Sequence, residues 1–222
     1  MADAAADVAH VLDVLGHDRF VAVGWSGGGP HALACGAVLG ENCAAVATIG
    51  GVAPDDAEGL SWLAGMADEN VEEFTLAAAG REQFATFLST AAAALGRLQG
   101  PDVAASLGGL VSPVDIAALD GAFADYVARA LASSVRAGTW GWHDDDVAFL
   151  TDWGFDLAAI RCPVGIWQGE EDRMVPSTHG RWLAAHVRGA QAHLLASEGH
   201  ISPIARSFGA ILDDTLALAR GR

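Results

Sequence analysis

Residues 20–30 read Phe20-Val21-Ala22-Val23-Gly24-Trp25-Ser26-Gly27-Gly28-Gly29-Pro30, and this stretch decides the fold. Its first six residues are apolar without alternation, the pattern of a short strand buried on both faces of a parallel sheet. Three glycines then turn the chain, and Pro30 is tolerated in the first turn of the helix that follows. Within this strand-to-helix junction, Gly24-Trp25-Ser26-Gly27-Gly28 has the form G-x-S-x-G. Three fixed positions in five recur by chance, so the motif is weak alone; its position gives it weight. A serine on so sharp a turn projects its hydroxyl above the sheet if its neighbours are small. Gly24 and Gly28 are read as those small positions. The amides and positive dipole end of the next helix favour negative charge developing beside the serine.

Outward from this junction the same alternation recurs. Val8, Val11, Leu12 and Leu15 fall at helical spacing between Ala2 and Leu15, and Gly16 stops that helix. Short apolar runs at Ala44 to Gly50, Val164 to Gln168 and Ala192 to Ala196 read as further strands. Helices are expected after Gly27, from about Ser177 to Val187, and from Pro203 to about Ala219, with Ser202 as N-cap of the last. The fold class is therefore α/β, a parallel sheet flanked by helices. Residues 54–156 break the pattern, with helical runs at Val71 to Ala79, Glu82 to Leu98 and Ala122 to Arg136. Ser112-Pro113-Val114-Asp115 looks like one more capped helix start. The organisation is thus a core made of residues 1–53 and 157–222, carrying a helical cap, 54–156, over the strand ends.

An activated serine needs a base, and the base needs an orienting acid. His200 follows the last strand in Glu198-Gly199-His200. Asp172 follows the preceding strand in Gly169-Glu170-Glu171-Asp172-Arg173. Both stand at carboxyl ends of parallel strands, the edge where such sheets place their sites. The chain order Ser, Asp, His is met, although Asp55 and Asp56, after the second strand, are alternative acids.

These pieces resemble the α/β-hydrolase superfamily, in its esterase-like branch with a helical cap between the sixth and seventh strands. The matching stretches are GWSGGGPHALA around Ser26, CPVGIWQGEEDRMVP around Asp172, and EGHIS around His200. The resemblance implies Ser26 as nucleophile, Asp172 as acid, His200 as base and the Gly27 amide as one oxyanion donor. It implies no cofactor and no metal. It also implies earlier strands and a His-Gly-type loop giving a second oxyanion amide, for which this chain shows no counterpart ahead of Gly24. The expectation is that the elbow strand lies at a bare sheet edge, that activity is impaired, and that the edge is open to homo-oligomer formation.

The remaining composition bounds the function. The net charge is -16 and all twelve basic residues are arginine, so nucleic acid and anionic membranes are excluded as partners. No run of apolar residues is long enough to span a membrane. Cys35, Cys43 and Cys162 form no C-x-x-C pair and read as buried thiols, which fits a reducing cytoplasm. His10 and His17 are read as part of the first helix and its exit, His179, His186 and His193 as lying on or near surface elements, and His31 as close to the elbow. His143-Asp144-Asp145-Asp146 is read as a solvated acidic loop, because consecutive residues cannot all aim at one ion. Trp25, Trp140 and Trp142 are candidates for lining an apolar substrate pocket, with core packing as the alternative, whereas Trp62 and Trp153 are read as core. The leading expectation is a serine hydrolase of an ester or related acyl bond in a small molecule. C–C bond hydrolysis, amide cleavage and perhydrolysis leave the same pattern; dehalogenase and epoxide-hydrolase relatives use an aspartate where Ser26 stands. The competing expectation is a non-catalytic relative that binds a ligand or partner.

Overall fold

The computed structural model describes residues 1–221. Four strands, β1 (Phe20–Trp25), β2 (Cys43–Ile49), β3 (Val164–Gly169) and β4 (Gln191–Leu195), form one parallel sheet in the order β1-β2-β3-β4. All four carboxyl ends therefore lie at the same side. Three helices follow or precede the strands closely: α1 (Ala2–Leu15), α2 (Gly28–Val38) and the long terminal α10 (Ser202–Arg220). The α9 helix (Ser177–His186) separates β3 from β4. Gly16 ends α1 in the left-handed region, φ 71°, where a side chain would be strained.

The two faces of the sheet are read directly from alternating side chains. Val46, Val164 and Ile166 join Leu33 of α2, Ala5 of α1 and Leu183 of α9 in the main core. Ala47 and Ile49 point the other way, onto Ile211 of α10, with Val23, Trp167 and Ile204 around them. β2 is buried along its whole length, as a strand with helices on both faces must be. β1, as expected, sits at the end of the sheet and pairs with β2 alone. A groove walled by Val8, Phe20, Ala22, Gly24 and Ala32 runs along it.

Residues 54–156 contain, among the described residues, six α-helices and no strand: α3 (Asp68–Ala79), α4 (Arg81–Leu95), α5 (Val103–Leu107), α6 (Pro113–Ala118), α7 (Gly121–Ser134) and α8 (Trp140–Phe149). Part of this insertion has its own small core, built on Val103, Val111, Leu119 and Val127. Ile201, just ahead of α10, packs into that core and ties the insertion to the sheet.

Three sequence expectations are corrected here. Ser202 is not the N-cap of α10; Ile201 holds that position, and Ser202 lies inside the helix with its hydroxyl accepting from the Gly199 amide at 2.9 Å. The acidic stretch at 143–146 is not a solvated loop, because it forms the middle of α8 with His143 and Asp146 buried. His179 is not on the surface. It is fully buried, with Nδ1 accepting from the Ala53 amide at 3.1 Å and Nε2 donating to the Trp62 carbonyl at 2.8 Å. Burial holds its pKa below the ordinary histidine value. The three cysteines are buried, and none forms a disulfide.

Candidate active site

Ser26 begins the turn between β1 and α2 at φ 53°, the sole positive φ of a non-glycine residue among those described. Holding a serine there costs about 1–3 kcal/mol, so the surroundings must over-determine it. They do. The Ser26 amide donates to the Ile49 carbonyl at 2.8 Å, and the Gly29 amide donates to the Ser26 carbonyl at 2.9 Å. A Cβ on Gly24 would collide with the Gly28 carbonyl, which explains that glycine. The reading of Gly28 as the second obligatory small position is not supported, since a Cβ there meets nothing within 4 Å. The close approach falls one residue later, where a Cβ on Gly29 would stand 2.8 Å from the Gly51 Cα.

His200 is buried, and its Nδ1 lies 2.8 Å from Asp172 Oδ2. Asp172 is itself fixed by three further donors. Met174 and Val175 amides donate to Oδ1 at 2.9 and 2.8 Å, and Gln168 Nε2 donates to Oδ2 at 3.1 Å. An acceptor this well anchored draws the imidazole proton to Nδ1, leaving a lone pair on Nε2. Nε2 is buried with no protein partner among the described residues. Burial alone would push the His200 pKa down, but the charge and hydrogen bond of Asp172, with the charge of Asp115, prevail and raise it above the ordinary value. Asp55 and Asp56, the alternative acids, lie in the loop after β2, and the His200 ring nitrogen is taken by Asp172.

The end of β2 brings these parts together. Ile49 holds the Ser26 amide, and the next residue, Gly50 (φ 56°), packs on Asp172 and His200; a Cβ there would stand 3.0 Å from His200 Nδ1 and 3.1 Å from Asp172 Oδ2. Trp25 adjoins the same place. Its indole donates to the His200 carbonyl at 3.0 Å, and the two rings lie 5.5 Å apart. Gly27 opens α2, and the Phe149 ring of α8 covers it, with Cζ 2.6 Å from where a Cβ would be. His31 reaches α8 as well, 3.3 Å from Asp145.

The other two tryptophans lie elsewhere. Trp140 is 61% exposed, and its ring meets His143 and the Arg81 guanidinium on the outside of the insertion. Trp142 is half-buried and donates to Glu73 Oε1 at 2.5 Å. Neither makes a contact with Ser26 or His200 among the described residues. Trp62 and Trp153 are buried, as read from the sequence.

Two features escaped sequence reasoning. Phe149, one apolar residue in a helix, carries no local signal that it will cover Gly27. Asp115 was visible only as part of a capped helix start; in the structure its carboxylate accepts five hydrogen bonds, three of them from the His200 loop. The His200 amide donates to Oδ2 at 3.0 Å, and the Ile201 and Ser202 amides donate to Oδ1 at 2.8 Å each. The Ser112 hydroxyl and amide donate to Oδ2 at 2.9 and 3.3 Å. No group of three or more His, Cys, Asp or Glu side chains among the described residues is arranged to hold a metal ion.

A strained serine at a strand-to-helix turn, with a paired His and Asp at neighbouring strand ends, accompanies a match of residues 1–206 to the model of the alpha/beta hydrolase fold. The chain belongs to the α/β-hydrolase family. Solved structures agree on the fold. A bromoperoxidase from Bacillus anthracis is 20% identical with a TM-score of 0.62, over 98% of this chain and 73% of that one. An enol-lactonase from Burkholderia xenovorans LB400 is 21% identical with a TM-score of 0.54, over 96% and 71%. An esterase from Rhodococcus sp. ECU1013 is 16% identical with a TM-score of 0.54, over 97% and 71%. None of the curated proteins compared with this sequence is a match. No helix among the described residues is long and apolar enough to cross a membrane.

Proposed function

We propose that this α/β hydrolase is a serine hydrolase of esters or related acyl bonds, with Ser26, His200 and Asp172 as its triad. The observation that carries the reading is Ser26, held at φ 53° and bonded to Ile49, next to the Gly50 that packs on a buried His200 whose Nδ1 is bonded to Asp172. In this reading the Ser26 hydroxyl rotates onto the open Nε2 of His200 when substrate enters; catalytic hydrogen bonds commonly tighten at that stage. Ser26 Oγ attacks the acyl carbon while its proton passes to Nε2. The tetrahedral oxyanion is met by the Gly27 amide and the N-terminal end of α2. The Nε2 proton then goes to the leaving alkoxide, giving the acyl-enzyme and the free alcohol. Water, deprotonated by the same nitrogen, releases the acid and restores Ser26.

Residues 54–156 act as the cap in this scheme. Phe149 over Gly27 and Trp25 beside His200 supply apolar walls for a small acyl substrate, whereas Trp140 is exposed and Trp142 is engaged by Glu73. The titration of His200 sets the working range. Its raised pKa keeps the imidazole protonated to a higher pH than usual, so the base is available only above the ordinary histidine range.

The test is intact-mass labelling with a fluorophosphonate probe, with Ser26→Ala as control. One adduct on the wild type and none on the variant is expected. A well-folded wild type that takes no adduct would overturn the triad reading and favour a ligand-binding role for the same fold.

A further inference from the structure

Resting on that reading, we propose that Asp115, borne by the cap, is a positioning residue for His200, fixing the backbone of the base while Asp172 holds its ring. The geometry is unusual in its direction. Asp172 holds the imidazole by its ring nitrogen, whereas Asp115 holds the amides of the three consecutive residues 200, 201 and 202. These amides open α10, where the unpaired N–H groups of a helix start need acceptors. Asp115 supplies them from a distant part of the chain, and this is why Ser202 is free to bond the Gly199 amide instead. The fit leaves no slack: a Cβ on Gly199 would collide with Asp115 Oδ2 and Ser112 Oγ.

The carboxylate is fully buried, yet the Ser202, His200 and Ile201 amides and the Ser112 hydroxyl hold its pKa below the ordinary value despite the cost of burial. Its charge also bears on the imidazole. The charged groups acting on His200 are Asp172 and Asp115, while Glu198, two residues earlier, is engaged by Arg206 at 3.3 Å. Asp115 thus does two things for the base: it sets where the ring is, and it favours the imidazolium that forms during catalysis. It also makes the seating of the cap and the placement of the base one event.

Asp115→Asn separates these effects from simple packing. The amide keeps one oxygen for Ile201 and Ser202 but presents an NH2 to the His200 amide and Ser112, donor against donor. The expected result is a fall in kcat of about 10²-fold, the scale of a misplacement near 1 Å, with KM little changed. The acid limb of the pH profile moves to lower pH, and so does the His200 ring titration followed by NMR. Ser112→Ala, which removes one donor to Oδ2 but leaves the Asp115 charge in place, is milder on folding and lowers kcat by a smaller factor without carrying the His200 titration to lower pH. A folded Asp115→Asn with wild-type kcat and an unmoved His200 titration would overturn the proposal; if that variant does not fold, a Ser112→Ala with wild-type kcat overturns it. The NMR titration needs no turnover, so an unlabelled wild type would defeat the triad reading while leaving the link between Asp115 and His200 measurable.

Discussion

Glu73 of α3 and Asp146 of α8 face each other inside the helical insertion, and replacing Asp146 by asparagine is expected to stabilise the protein at neutral and alkaline pH. Two ionised carboxylates there would be acceptor against acceptor, leaving the buried Asp146 Oδ2 without a donor. A proton kept on Asp146 turns the clash into a hydrogen bond to Glu73, to which Trp142 also donates. Burial first, and the Glu73 charge second, push the Asp146 carboxyl from its ordinary 3.8 up to about 9, and burial raises Glu73 as well. Below pH 4 the folded and unfolded chains both hold the Asp146 proton, and it has no effect on the balance. Between pH 4 and 9 the unfolded chain releases it and the folded chain does not, so each pH unit subtracts about 1.4 kcal/mol from stability. By pH 8 the accumulated loss is on the order of 5 kcal/mol, comparable with the whole stability of many domains. The amide introduced by Asp146→Asn would keep the donor to Glu73 without any proton to lose. Urea unfolding of wild type and Asp146→Asn at pH 5, 7 and 9 measures this directly. The stability gap should widen with pH in favour of the variant and close toward pH 4. Parallel curves, or a variant less stable at pH 8, would refute the shared-proton arrangement.

Asp172→Asn should leave the fold intact but lower kcat for a p-nitrophenyl ester by about 10⁴-fold, because an amide facing Nδ1 selects the wrong tautomer. Retained turnover in that variant would return Asp55 or Asp56 to consideration as the acid. Gly24→Ala should abolish probe labelling and lower the thermal midpoint, since its Cβ runs into the Gly28 carbonyl and the turn cannot close. Unchanged labelling would mean that the turn has room the structure does not show.

The strands were legible because a parallel sheet buried on both faces leaves short continuous apolar runs, and all four fall within a residue or so of their expected bounds. The pairing of His200 with Asp172 was legible for a related reason: both follow strands in one parallel sheet, so their ends must meet at one edge. What could not be read are contacts between segments far apart in sequence. Nothing local distinguishes Asp115 as a partner of residue 200 from Asp115 as the third residue of an ordinary capped helix. Ser202 shows the same limit in reverse, because its N-cap chemistry is real but a stronger, charged acceptor takes the amides. At residues 143–146 charge misled: three aspartates suggest solvent, yet a helix turns its residues in different directions, exposing Asp144 and Asp145 while burying Asp146.

The position of β1 at the sheet edge bears on how the site holds together. An edge strand is the first to fray, and β1 carries Ser26 at its end. Yet the bonds that fix Ser26 do not depend on the open side of β1. Trp25 pairs with Ile49 in the sheet register, and the Ser26 amide donates to the Ile49 carbonyl, so the turn hangs from fully buried β2. Gly50, continuing from Ile49, donates to the Trp167 carbonyl of β3 at 2.8 Å and packs against His200 and Asp172. Ser26, His200 and Asp172 are thus referenced to two adjacent residues at the end of the same buried strand. Exposure of the outer side of β1 and assembly of the site are separable in this architecture, because the link between them runs through β2 rather than through β1's free edge.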